Sequence, residues 1–109
     1  MNNSIKNNVL SYQYVYIKKV KDINTIYLKY ALEVERVKSI TQAAQNLYMA
    51  QPNLSKVIKE LEKELGFSIF KRTSNGVRVT DEGSQFLYHA KRIVEQLDEV
   101  ENNSGDSTG

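Results

Sequence analysis

From Gln51 to Lys59 the chain offers two amides, a hydroxyl and two lysines, and no carboxylate. Asp and Glu are absent from Arg36 through Lys59 and again from Leu65 through Thr80. Groups of this kind bind an anion. On a helix whose other face is held in a core, they form the surface that a DNA major groove demands.

The residues from Gln51 to Leu65 read as that helix. At 100° per residue, Leu54, Val57, Ile58, Leu61 and Leu65 fall in a sector roughly 100° wide, the usual breadth of a core-facing stripe. Pro52, Lys56, Lys59 and Lys63 lie opposite, with Ser55 at the edge. Glu60, Glu62 and Glu64 occupy only the C-terminal half. The N-terminal half is therefore acid-free, where free backbone N–H groups and the helix dipole also favour phosphate. An ordinary amphipathic helix with a solvated lysine face would show the same periodicity. The acid-free gaps on either side weigh against that alternative.

Other elements must position this helix. The spacing predicts a first helix over 26–37, capped by Asn24 or Thr25, with Leu28, Ala31, Leu32 and Val34 inward. Ser39 caps a short helix over 40–47, with Gln42 completing a capping box. Tyr48, Met49 and Ala50 make the turn, and Pro52 suits the first turn of the next helix. Gly66 stops that helix. Strands over 68–71 and 77–79 flank Ser74-Asn75-Gly76, a hairpin signal. Lys71, Arg72 and Arg78 sit on or beside this hairpin, which reads as a basic wing able to reach phosphates or a minor groove. A plain surface hairpin is the alternative.

Thr80 caps a long last helix. Phe86, Ala90, Ile93, Leu97 and Val100 step by 4, 3, 4 and 3, a heptad seam. With three helices already enclosing a core, the seam is expected to pair with a second copy rather than pack within one chain. Residues 102–109 are polar with two Gly and are expected to be disordered, or a severed linker. The expected divisions are an extension of open role over 1–24, a reading domain over 25–80, a pairing helix over 81–101 and that tail. In the extension, alternating Tyr12, Tyr14 and Tyr16 suit a strand with no partner in view, or a mobile tail, or residues upstream of an ancestral start.

Composition narrows the function classes. The chain has 109 residues, enough for one modest core. Its net charge of +2 hides an asymmetry: residues 51–80 carry +3 and residues 81–109 carry −5. The middle meets an anion and the end stays away from it. Zero Cys and a single His, His89, leave no thiolate site and make a His-based metal centre or catalytic triad unexpected. No paired carboxylates in a cleft and no phosphate loop are visible, so no catalytic residue, metal or cofactor is expected. No apolar run approaches the ~20 residues of a membrane span. The absence of Cys and of a signal-peptide pattern fits a cytoplasmic protein.

The ordered set Ser39-Ile40-Thr41-Gln42-Ala43-Ala44, Gln51-Pro52-Asn53-Leu54-Ser55, Ile58, Leu61-Glu62, Leu65-Gly66, Ile69-Phe70, Arg72, Thr80 and Gly83 resembles the LysR-type transcriptional regulators. The match covers Ile26 to Leu97, roughly two thirds of the chain. Each element is weak alone; in this order and spacing they exclude most other winged helix-turn-helix families. The resemblance implies a mainly α fold: a winged helix-turn-helix with a three-helix core and a two-stranded wing, then a long dimerisation helix.

By the same resemblance, Thr41 and Gln42 touch phosphate. Gln51, Pro52 and Asn53 face base edges, where Gln or Asn reads adenine and Pro packs on a thymine methyl. Ser55, Lys56 and Lys59 grip backbone or reach neighbouring bases, and Arg72 serves the wing. Implied partners are double-stranded DNA and a second copy, a tetramer in a full-length protein, in a bacterial cytoplasm on the nucleoid. A small-molecule effector would act only through a downstream α/β domain absent here; the chain is either a fragment cut at the linker, which the polar end suits, or an unusual short member. His89 reads as a polar linker-helix residue rather than a sensor. Ala50 stands where the family usually has Ser, which removes a helix cap and a phosphate contact. The extension has no counterpart in the family. A winged helix that binds another protein and no nucleic acid is the competing function; it requires an apolar outer face on the helix over 51–65.

Overall fold

The computed structural model describes the backbone of residues 23–108 and the side chains of residues 23–103. The proposed strand at Tyr12, Tyr14 and Tyr16 lies outside the described residues. Apart from β1 and the end of α4 the element boundaries fall close to expectation, and the order is α1 (Thr25–Val37), α2 (Ile40–Asn46), α3 (Gln51–Leu65), β1 (Phe70–Thr73), β2 (Gly76–Val79) and α4 (Asp81–Thr108).

The caps explain where the helices start. Asn24 Oδ1 accepts from Ile26 N at 3.0 Å, and Ser39 Oγ accepts from Gln42 N at 3.1 Å. Thr80 Oγ1 accepts from Gly83 N at 2.9 Å. The capping box at α2 is only half made. The Gln42 amide turns along the helix and donates to Asn46 Oδ1 at 2.9 Å. Ala50 caps α3 without any side-chain bond.

A single core joins all elements. It comprises Leu28, Ala31 and Val34 of α1, Ile40, Ala43 and Ala44 of α2, and Leu54, Ile58, Leu61 and Leu65 of α3, together with Ile69, Phe70 and Val77 from the wing. Phe86, Leu87 and Ala90 of α4 complete it. Three helices do not close the core alone, as the sequence had suggested. Phe86 and Ala90 are 2% and 1% exposed within a single chain. The first half of the heptad seam is therefore intramolecular, and only its later positions remain accessible. Ile93 is half-buried against the core, while Leu97 and Val100 are 38% and 61% exposed.

Two further expectations are corrected. β1 begins at Phe70 rather than at Ser68. Ser68 and Ile69 have other partners: Thr80 Oγ1 donates to the Ser68 carbonyl, and Ile69 N donates to Glu62 Oε2 at 2.7 Å. Residues 102–108, expected to be a disordered tail, continue α4 to Thr108. The segment contains no Pro, and one Gly in a helix costs only about 1 kcal/mol, too little to break a long run that is already nucleated.

Candidate nucleic-acid interface

The outer face of α3 stands clear of the core. Pro52, Asn53, Lys56, Lys59 and Lys63 are exposed, while Gln51 and Ser55 are half-buried at the edge. Gln51, Pro52, Ser55, Lys56, Lys59 and Lys63 share one open face of the helix, with Glu60 the one acid on it. Thr41 and Gln42 are exposed at the start of α2. This face is built by the amphipathic pattern itself. Four leucine and isoleucine side chains bury one side, so the polar residues between them must point out.

The wing divides its three cations between its two faces. β1 and β2 pair antiparallel, with Phe70 opposite Val79, Lys71 opposite Arg78 and Arg72 opposite Val77. Side chains alternate along a strand, so Arg72 shares the side of buried Phe70 and Val77, next to α3. Lys71 and Arg78 share the other side, directly across from one another. Like charges in that arrangement destabilise a bare hairpin, and an anionic partner relieves the repulsion. Arg72 Nη2 donates to Ser55 Oγ at 3.2 Å, and Gln51 Nε2 donates to the same oxygen at 3.0 Å. One hydroxyl thus links the helix and the wing.

Glu62 fixes where the wing leaves α3. Its Oε2 accepts from Ile69 N at 2.7 Å and from Phe70 N at 3.2 Å. A carboxylate accepting two backbone N–H groups makes charge-assisted bonds, the stronger kind. Glu62 was singled out in the sequence only as part of a motif, and its role as an anchor was missed. Nothing local signals it, because its partners lie seven and eight residues away. Arg72 facing α3 could have been read from period-2 alternation with Phe70 once that residue was known to be buried. Tyr48 lies in the turn before α3, as expected. It is 98% exposed with φ of 55°.

The family described as bacterial regulatory helix-turn-helix protein, lysR family, matches residues 27–84. The chain belongs to the lysR family. Among relatives, it is 41% identical over 73 residues to the uncharacterized HTH-type transcriptional regulator YcgK of Bacillus subtilis (strain 168), covering 67% of this chain and 22% of that one. It is 38% identical over 74 residues to the HTH-type transcriptional regulator BenM of Acinetobacter baylyi, covering 68% and 24%. The chain thus spans about a quarter or less of these relatives. Among solved structures, the DNA-binding domain of BenM in complex with catB site 1 DNA has a TM-score of 0.76 at 32% identity, covering 80% of this chain and 98% of that one. The CbnR DNA-binding domain in complex with DNA has a TM-score of 0.73 at 28% identity, covering 80% and 100%.

In this lysR-family chain the fold is the expected winged helix-turn-helix followed by a long helix. Members of the family are transcriptional regulators rather than enzymes. Among the described residues no group of His, Asp and Glu could hold a metal ion, and no helix is long and apolar enough to cross a membrane. His89 is exposed on α4 beside the Tyr88 ring.

Proposed function

We propose that this chain binds double-stranded DNA sequence-specifically as the reading domain of a transcription regulator. The observation that carries this is the outer face of α3. It is acid-free in its N-terminal half, exposed, and flanked by a wing whose Lys71 and Arg78 face each other. The competing protein-binding function needs an apolar face there, and lysines occupy it instead.

Within this proposal Gln51, Pro52, Asn53 and Lys56 meet base edges in the major groove. Thr41, Gln42, Ser55 and Lys59 meet the backbone, and Lys71, Arg72 and Arg78 hold the flanking backbone or minor groove. Two copies pair along the accessible part of α4, through Ile93, Leu97 and Val100, and set two reading helices into successive major grooves. Tetramer formation and response to a small-molecule effector belong to a domain outside this chain. Such a protein works where the DNA is, in the bacterial cytoplasm on the nucleoid.

Titrating duplex DNA against the chain at several salt concentrations tests the proposal. The logarithm of the binding constant should fall linearly with the logarithm of salt, by about 0.9 for each phosphate neutralised. Selection from a random duplex pool should enrich a defined sequence. A flat salt response, or a pool that stays random, would overturn it.

A further inference from the structure

We infer that Ser55 sets sequence preference by orienting Gln51, and that it couples base reading to the position of the wing through Arg72. This rests on the DNA-binding reading above and deepens it. The expectation from the sequence gave Ser55 a direct contact with DNA backbone or neighbouring bases, and no role in orienting Gln51.

A Ser hydroxyl has two acceptor lone pairs and one donor hydrogen. In this structure both lone pairs have a partner: Gln51 Nε2 at 3.0 Å and Arg72 Nη2 at 3.2 Å. The first bond spans i to i+4 on α3, so it holds the Gln51 side chain along the helix rather than splayed from it. It uses one of the two amide hydrogens. The other hydrogen and Oε1 remain free, and these are the donor and acceptor that adenine N7 and N6 require for two-fold pairing. A reader held this way keeps one orientation of its amide, and holding it before contact lowers the ordering cost of binding. The second bond brings a wing guanidinium to the same oxygen. Arg72 retains four other N–H donors for phosphate or a minor groove. A shift of the wing therefore reaches Gln51 through a single atom, and a base mismatch at Gln51 reaches the wing by the same route.

Binding titrations with the full 109-residue chain test this. The probes are the duplex selected from the random pool, the same duplex with the best-discriminated A·T pair replaced by G·C, and an unrelated duplex. Ser55→Ala should reduce discrimination between the first two about fivefold, over and above any weakening common to all three duplexes. Ser55→Thr, which keeps the hydroxyl, should restore discrimination. Losses caused by Gln51→Ala and Arg72→Ala should be non-multiplicative by about threefold with Ser55 present, and multiply independently in the Ser55→Ala background. If Ser55→Ala weakens all three duplexes equally and leaves discrimination intact, Ser55 is only a backbone grip and the inference is wrong. Independent losses with Ser55 present would remove the coupling. Failure of the unsubstituted chain to distinguish any duplex would instead overturn the DNA-reading function itself.

Discussion

The main-chain N–H of Val77 in the wing donates to the carbonyl oxygen of Lys38, in the turn between α1 and α2, at 3.0 Å. Gly76, next to it, lies so close that a Cβ would overlap that same oxygen, and its φ is 132°. At this end the wing is therefore docked by backbone on backbone. Gly76→Ala should cost about 2–4 kcal/mol through strain and overlap. In a domain of this size that lowers the unfolding midpoint by at least about 8 °C. Thermal unfolding followed by circular dichroism reads it directly, and an unchanged midpoint would contradict this account of the docking.

Gly83 invites the opposite expectation and should disappoint it. Gly→Ala inside a helix ordinarily gains about 1 kcal/mol. Here a Cβ would lie 2.8 Å from Ile69 Cα, on a backbone that cannot swing away. The overlap should exceed the gain in helix propensity, for a net loss of about 1–3 kcal/mol. A stabilised Gly83→Ala variant would show that the entry to the wing can yield.

Ala50 marks a missing cap. Its backbone is already extended, with φ of −70° and ψ of 140°, as an N-cap requires, yet no side chain bonds to the free N–H groups of α3. Ala50→Ser should raise stability by about 0.5–2 kcal/mol. Chemical denaturation with urea measures it; a midpoint that stays the same or falls would rule out an uncapped helix as a source of instability.

Readers and grippers should separate in binding data. Gln51→Ala should flatten the preference between duplexes, with about 1–3 kcal/mol of discrimination lost. Lys59→Ala should weaken every duplex to the same degree and reduce the salt slope by about 1. Matched titrations on selected and random duplexes distinguish the two. Identical behaviour would erase the division of roles along α3.

Glu33 should titrate low. The Arg36 guanidinium bonds both of its oxygens, at 2.8 and 2.6 Å, and Asn46 Nδ2 adds a third bond at 2.8 Å. These bonds, Arg36 first, hold its pKa down from 4.5 to about 2. A folded pKa below the unfolded one means that the contribution to stability is complete above about pH 4.5 and fades as the pH falls toward 2. Carboxyl carbon shifts followed by NMR should give the low value, and Arg36→Ala should bring it back toward 4.5. A carboxyl that titrates near 4.5 in the unsubstituted chain would show that the α1–α2 network is open in solution.

The run of residues by itself determined the helices apart from the end of α4, their caps at Asn24, Ser39 and Thr80, the exposed lysine face of α3 and the hairpin turn. Each of these is a local matter. Periodicity needs only the 3.6-residue turn, and a cap needs only a neighbour two or three residues away. Partners far apart in the chain were decided by the tertiary structure alone. Phe86 and Ala90 have the spacing of a seam between two molecules, but apolar spacing does not say which apolar surface will be met. Only packing against α1 sends them into their own core. Lys71, Arg72 and Arg78 look alike as a basic cluster, until strand register turns Arg72 toward Ser55 and leaves the other two on the far side. Glu62 looks like one acid among three on a helix, and the chain's return at Ile69 and Phe70 makes it the anchor of the wing. Side-chain type and spacing fix which surfaces exist; the long-range closure of the chain fixes which surface each one meets.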